Sequence, residues 1–106
     1  MAWLYLILAG LLEIVWAFMM KQSDGFTRPM ASIVTLVAMV ASVVLLSWAM
    51  KTLPLGTAYT IWTGIGAVGA FVVGIVVLGE QATALRVASA AMILAGLVGL
   101  KVSSPV

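Results

Sequence analysis

Polar punctuation divides the chain into four long apolar stretches, each of a length suited to crossing a bilayer as a helix. A span needs about 20 mostly apolar residues to cover about 30 Å of hydrocarbon. The first stretch, residues 2–20, ends at Lys21 and the turn-rich Gln22-Ser23-Asp24-Gly25. The second, residues 29–50, opens on Pro29, whose missing N–H does no harm in a first helical turn, and closes at Lys51. After Leu53-Pro54-Leu55-Gly56 the third covers residues 57–78 and stops at Gly79-Glu80; the fourth covers 84–100, followed by Lys101 and a short polar tail. Connections of a few residues make successive helices antiparallel neighbours. The pattern predicts an all-α integral membrane protein, with one four-helix transmembrane domain over residues 1–106.

Composition removes the soluble alternative. Hydrophobic residues make up 65% of the chain and charged residues 8%, against roughly 25% charged in ordinary soluble domains. The apolar start is read as a permanent helix rather than a signal peptide: it has no basic leader, it carries Glu13 inside the apolar run, and no small-x-small cleavage site follows. Without cysteine or histidine, disulfide frameworks, thiol chemistry and the usual soft metal sites are excluded, so neither metal nor cofactor is expected. The basic residues are scattered at predicted helix ends, where they meet lipid headgroups. They form no clustered face for nucleic acid. No room is left for a soluble catalytic module, and an enzyme is not expected.

Orientation in the membrane follows the Lys/Arg balance. Lys51 and Lys101 fall on the side of the amino terminus, and Lys21, Arg28 and Arg86 on the other, two against three. Two readings remain: one weakly specified orientation, or insertion both ways up with antiparallel pairing. Larger secondary transporters build their pathway between inverted repeats. Four helices amount to one such repeat, and two copies in opposite orientation would supply the pair.

Glu13 is the only acid inside a predicted span, where a charged side chain costs about 3 kcal/mol on insertion scales. Its helical neighbours are Ala9 and Gly10 on one side and Trp16 and Ala17 on the other. The small residues allow close helix approach or a cavity, and Trp16 offers an aromatic wall. No buried Lys, Arg or His elsewhere in the spans is available to pair with the acid. A carboxylate able to hold either a proton or a cation, presented alternately to the two faces of the membrane, exchanges one for the other.

Tyr59, Trp62, Thr63 and Gly66 share a face of the third helix. Ring faces attract positive charge, and Tyr59 is in a position to hydrogen-bond the acid; the plainer alternative is an interfacial aromatic belt. Gly64, Gly66, Gly69 and Gly74 follow, suited either to close packing or to bending during alternating access, with Gly64 and Gly66 the candidate bend. Ser42 lies mid-span in the second helix, with Thr35 and Met39 on its face. It either lines a site or bonds back to its own helix. Small residues on the fourth helix, with Ser89 and Gly96 seven apart, read as a dimerisation seam.

Three segments together resemble the small multidrug resistance transporters, and among them the guanidinium exporter subtype. They are Gly10-Leu11-Leu12-Glu13-Ile14-Val15-Trp16-Ala17, Lys21-Gln22-Ser23-Asp24-Gly25-Phe26-Thr27-Arg28, and the run from Pro54 to Gly66. The resemblance covers nearly the whole chain. It implies an antiparallel, dual-topology homodimer in the bacterial inner membrane that exchanges protons for guanidinium. It also implies that Glu13 of both subunits binds substrate or protons and that Gly10, Trp16, Ser42, Tyr59 and Trp62 line the site. Guanidinium is planar and permanently charged, and its donor fork fits carboxylate oxygens. Trp16 is expected to narrow the pocket in favour of a small cation. Thr60 stands where the subtype carries a smaller alanine, which makes Thr60, together with Met39, a candidate for specificity among substituted guanidines. Pro29 falls slightly earlier than the family's proline, a difference expected to affect only how that helix begins.

The competing functions are an exporter of quaternary ammonium or other hydrophobic cations, a small ion channel, and a non-transporting assembly subunit. A channel would conduct without protons and would tolerate loss of the Glu13 charge. A subunit would be inert without a partner.

Overall fold

The computed structural model describes residues 1–103. Four helices account for most of it: α1 (Ala2–Gln22), α2 (Pro29–Ala49), α3 (Leu55–Val76) and α4 (Ala84–Ser103). All four are long and apolar enough to cross a membrane.

The helix ends depart by a few residues from those read off the hydropathy pattern. Lys21 and Gln22 continue α1, because polar residues cost a helix nothing once its end reaches water, and the chain turns only at Ser23. Ser23 is fully buried and organises that turn. Its hydroxyl donates to the Met20 carbonyl at 2.6 Å and accepts the Phe26 N–H at 3.0 Å. Pro29 occupies the first turn of α2, after Arg28 in extended conformation. α3 begins at Leu55, two residues early, since Pro54 at its N-cap fixes the extended entry. It ends at Val76. Gly79, at φ +71°, then turns the chain so that the Glu80 N–H reaches the Gly74 carbonyl at 3.0 Å. α4 runs beyond Leu100 to Ser103; the rest of the expected polar tail, residues 104–106, lies outside the described residues.

α1 packs against both α2 and α3, and α4 packs against α3. The layer is thin, with principal extents of 43 × 34 × 16 Å. A core of Leu6, Ala9, Leu46, Ala49, Leu53, Ala58 and Ile61 fills the end of the bundle that holds the start of α1. Elsewhere large apolar side chains face outward, and α4 has no buried residue at all. In water such a surface would drive aggregation. In lipid it is ordinary, because the solvent is itself apolar.

Close helix approach depends on residues without a side chain. A Cβ on Gly10 would overlap Ile65, one on Gly69 would overlap Ile14, and one on Gly64 would overlap Leu97. These glycines carry α1 onto α3 and α4 onto α3.

Candidate functional site

Glu13 lies just past the middle of α1, and its carboxyl group rests directly on the α3 backbone at Gly66. A Cβ at Gly66 would occupy the same space as Glu13 Oε1. That oxygen is enclosed and has no hydrogen-bond partner among the described residues. One turn further along α1, Trp16 Nε1 is likewise enclosed without a partner. An acceptor and a donor thus lie on neighbouring turns of one helix face, both removed from solvent and both unsatisfied. Groups in this condition cost about 1–3 kcal/mol each when nothing else pairs with them.

Around them runs a chain of hydrogen bonds through three helices. Ser42 of α2 is fully buried. Its hydroxyl donates to the Ala9 carbonyl of α1 at 2.6 Å and accepts the Trp62 indole N–H of α3 at 3.0 Å. Tyr59 stacks on Trp62 in a tilted pair with ring centroids 5.5 Å apart. Of the two roles open to Ser42, bonding back to its own helix is the one not adopted. Thr35 on the same face does adopt it, donating to the Ala31 carbonyl at 2.7 Å.

The remaining candidates divide. Gly10 is buried against Ile65 and serves close approach. Met39 is half-buried on α2. Tyr59 does not hydrogen-bond Glu13: it stands two turns before Gly66, about 10 Å along the helix axis at 1.5 Å per residue. Thr60 faces away from the carboxylate, into a groove of about 580 Å³ shared with Tyr59, Thr63, Gly64, Gly96 and Leu97 between α3 and α4. Gly64 and Gly66 lie within an uninterrupted helix. Each receives a neighbouring side chain, Leu97 and Glu13 respectively. Ser89 bonds its own helix at Leu85, 2.8 Å, and Gly96 opens onto the groove with nothing nearby.

The sequence reading missed the Ala9 carbonyl, which carries the Ser42 bond, and the specific seating of Glu13 on Gly66. Main-chain acceptors leave no trace in residue identity. The only signal was indirect: a hydroxyl in mid-membrane needs an acceptor.

The family model for the Small Multidrug Resistance protein matches residues 1–93. The chain belongs to this family. It is also 60% identical over 104 residues to a guanidinium exporter of Yersinia pseudotuberculosis, covering 98% of this chain and all of that one. Identity is 56% over 104 residues to guanidinium exporters of Salmonella typhimurium and Escherichia coli, covering 98% of this chain and 99% of each relative. As a member of the small multidrug resistance family the protein is a multi-pass, all-α membrane protein. The residues brought together at Glu13 lie on helices long and apolar enough to cross the membrane.

Proposed function

We propose that two copies of this chain pair in antiparallel orientation in the bacterial inner membrane and export guanidinium in exchange for protons, with Glu13 as the shared binding group. The observation that carries the reading is the Glu13 carboxyl seated on Gly66, with Oε1 enclosed and unpaired among the described residues. It is supported by the near-full-length similarity to proteins that are themselves guanidinium exporters.

The chemistry follows from the surroundings. Guanidinium presents planar N–H donors to a carboxylate and a flat face to an aromatic ring. Trp16 supplies such a ring on the acid's own helix, and Trp62 and Tyr59 supply others on α3. The Trp62–Ser42–Ala9 bonds hold α3, α2 and α1 in register around it. A proton on Glu13 removes the charge that attracts the cation, so the two guests exclude each other. A layer 16 Å thick is too thin to enclose a pathway by itself, and a second, inverted copy would close the other wall.

Purified protein in liposomes is expected to take up guanidinium when a proton gradient is imposed, and Glu13→Gln is expected to abolish this while the protein stays dimeric. Transport of bulky hydrophobic cations alone would favour the quaternary ammonium reading. Proton-independent current retained in Glu13→Gln would favour a channel.

A further inference from the structure

The two ends of the bundle differ in charge. At the end bearing Lys21, Arg28 and Arg86, the acids Asp24 and Glu80 are interspersed, and Arg86 donates to the Gln81 carbonyl at 2.7 Å. At the opposite end stand Lys51 and Lys101, with no Asp or Glu among the described residues there. That end also holds a cavity of about 570 Å³, lined by Trp3, Tyr5, Trp48, Lys51 and Thr52 together with the first residues of α1.

Its walls come from the start of α1, the end of α2 and the loop that follows α2. Tyr5 of α1 meets Trp48 of α2 edge to face, with centroids 5.7 Å apart. The Lys101 ammonium of α4 lies over the Trp3 ring at 5.1 Å from its centroid, which brings a second positive charge to the rim. Lys51 and Lys101 are exposed, and Trp48 is 44% exposed. Trp3 and Tyr5 lie in the first turns of α1, Trp48 in the last turn of α2 and Lys51 and Thr52 just beyond it, so the cavity lies at the ends of helices long and apolar enough to cross a membrane. Its size falls in the range of small-molecule sites, roughly 300–1,000 Å³.

From this arrangement we infer that the cavity binds the headgroup of an anionic glycerophospholipid, with Lys51 and Lys101 facing the phosphodiester and Trp48 and Tyr5 packing on the glycerol and upper acyl region. The two ammonium groups supply the charge complementarity. Indole and phenol rings suit a site that is apolar on one side and wet on the other. The hydroxyl of Thr52 and the N–H and O–H groups of Trp48 and Tyr5 offer donors to phosphate and glycerol oxygens. An anionic lipid is selected over a zwitterionic one because the choline or ethanolamine of the latter would meet two lysines and no acid. The inference requires only the membrane fold, and stands or falls separately from guanidinium exchange.

The test uses the full-length protein in mixed micelles of phosphatidylglycerol and phosphatidylcholine. Retained lipid is counted by native mass spectrometry, and tryptophan quenching by brominated forms of each lipid is measured alongside. Phosphatidylglycerol is expected to be retained in preference. Lys51→Gln and Lys101→Gln are each expected to reduce the preference by about fivefold, the factor for one lysine against an anionic headgroup. Lys21→Gln, at the opposite end, is expected to leave it unchanged, and Trp48→Leu to weaken quenching by the brominated phosphatidylglycerol. Equal retention of the two lipids overturns the inference. So does a loss with Lys21→Gln as large as with Lys51→Gln, since that would be general surface charge, and so does displacement of the lipid by millimolar glycerol phosphate, which would make the ligand a free phosphate. The substituted lysines are exposed, and unchanged helical circular dichroism establishes that each variant is folded.

Discussion

The carboxyl group of Glu13 occupies the space that a side chain on Gly66 would need. Two helices therefore share one small volume, with the acid supplied by α1 and the vacancy by α3. Gly66→Ala forces either the carboxyl or α3 to move, at a cost of about 1–3 kcal/mol for overpacking. Guanidinium exchange is expected to fall by at least tenfold, with the protein still eluting as a folded species. Transport at the level of the unsubstituted protein would mean that the carboxyl can relocate without consequence.

Gly56 and Gly79 make a contrasting pair. Gly56 is helical, exposed and has nothing within 4 Å of a prospective Cβ, so Gly56→Ala is expected to be neutral or to stabilise by about 0.5–1 kcal/mol. Gly79 is equally uncrowded, but its φ is +71°. Gly79→Ala is expected to destabilise by about 1–2 kcal/mol through the left-handed backbone. Unfolding in sodium dodecyl sulfate, followed by circular dichroism, measures both; the reverse ranking would contradict the turn geometry after α3.

Ser42 and Trp62 are expected to be energetically coupled. Ser42→Ala removes the bond to the Ala9 carbonyl and leaves the Trp62 N–H without its acceptor. Hydrogen bonds inside membrane proteins average about 0.6 kcal/mol and reach about 1.7. A double-mutant cycle of Ser42→Ala with Trp62→Phe is expected to give a coupling of that size in the same unfolding assay. Strict additivity would show that the bond contributes nothing.

The dependence on pH carries a definite sign. Guanidinium remains charged across the accessible range, so the protein's own carboxylate is the group that changes. If one proton and one cation compete for Glu13, the apparent Kd for guanidinium rises by about tenfold for each unit by which the pH is lowered once the proton dominates, and levels off at high pH. Isothermal titration calorimetry over a pH series measures it. A Kd independent of pH would remove the basis for exchange.

Much of the architecture was legible before any coordinate. Span lengths, the antiparallel order and the isolation of Glu13 follow from local composition, because burial in lipid selects apolar residues one by one and short loops leave the chain no other route. The aromatic residues Tyr59 and Trp62 could likewise be assigned to one face of α3 from helical spacing alone.

What only the tertiary structure decided was the rotation and depth of each helix relative to the others. A helix that is apolar all round carries little periodic signal, so its sequence does not say which side meets a neighbour. Tyr59 and Thr60 both border the α3–α4 groove, and the Glu13 carboxyl lies two turns beyond Tyr59. Ser42 found its acceptor on another helix, whereas Thr35 bonded back to its own. Those outcomes depend on where glycines let backbones approach, a property of pairs of helices in contact and of no single stretch of sequence.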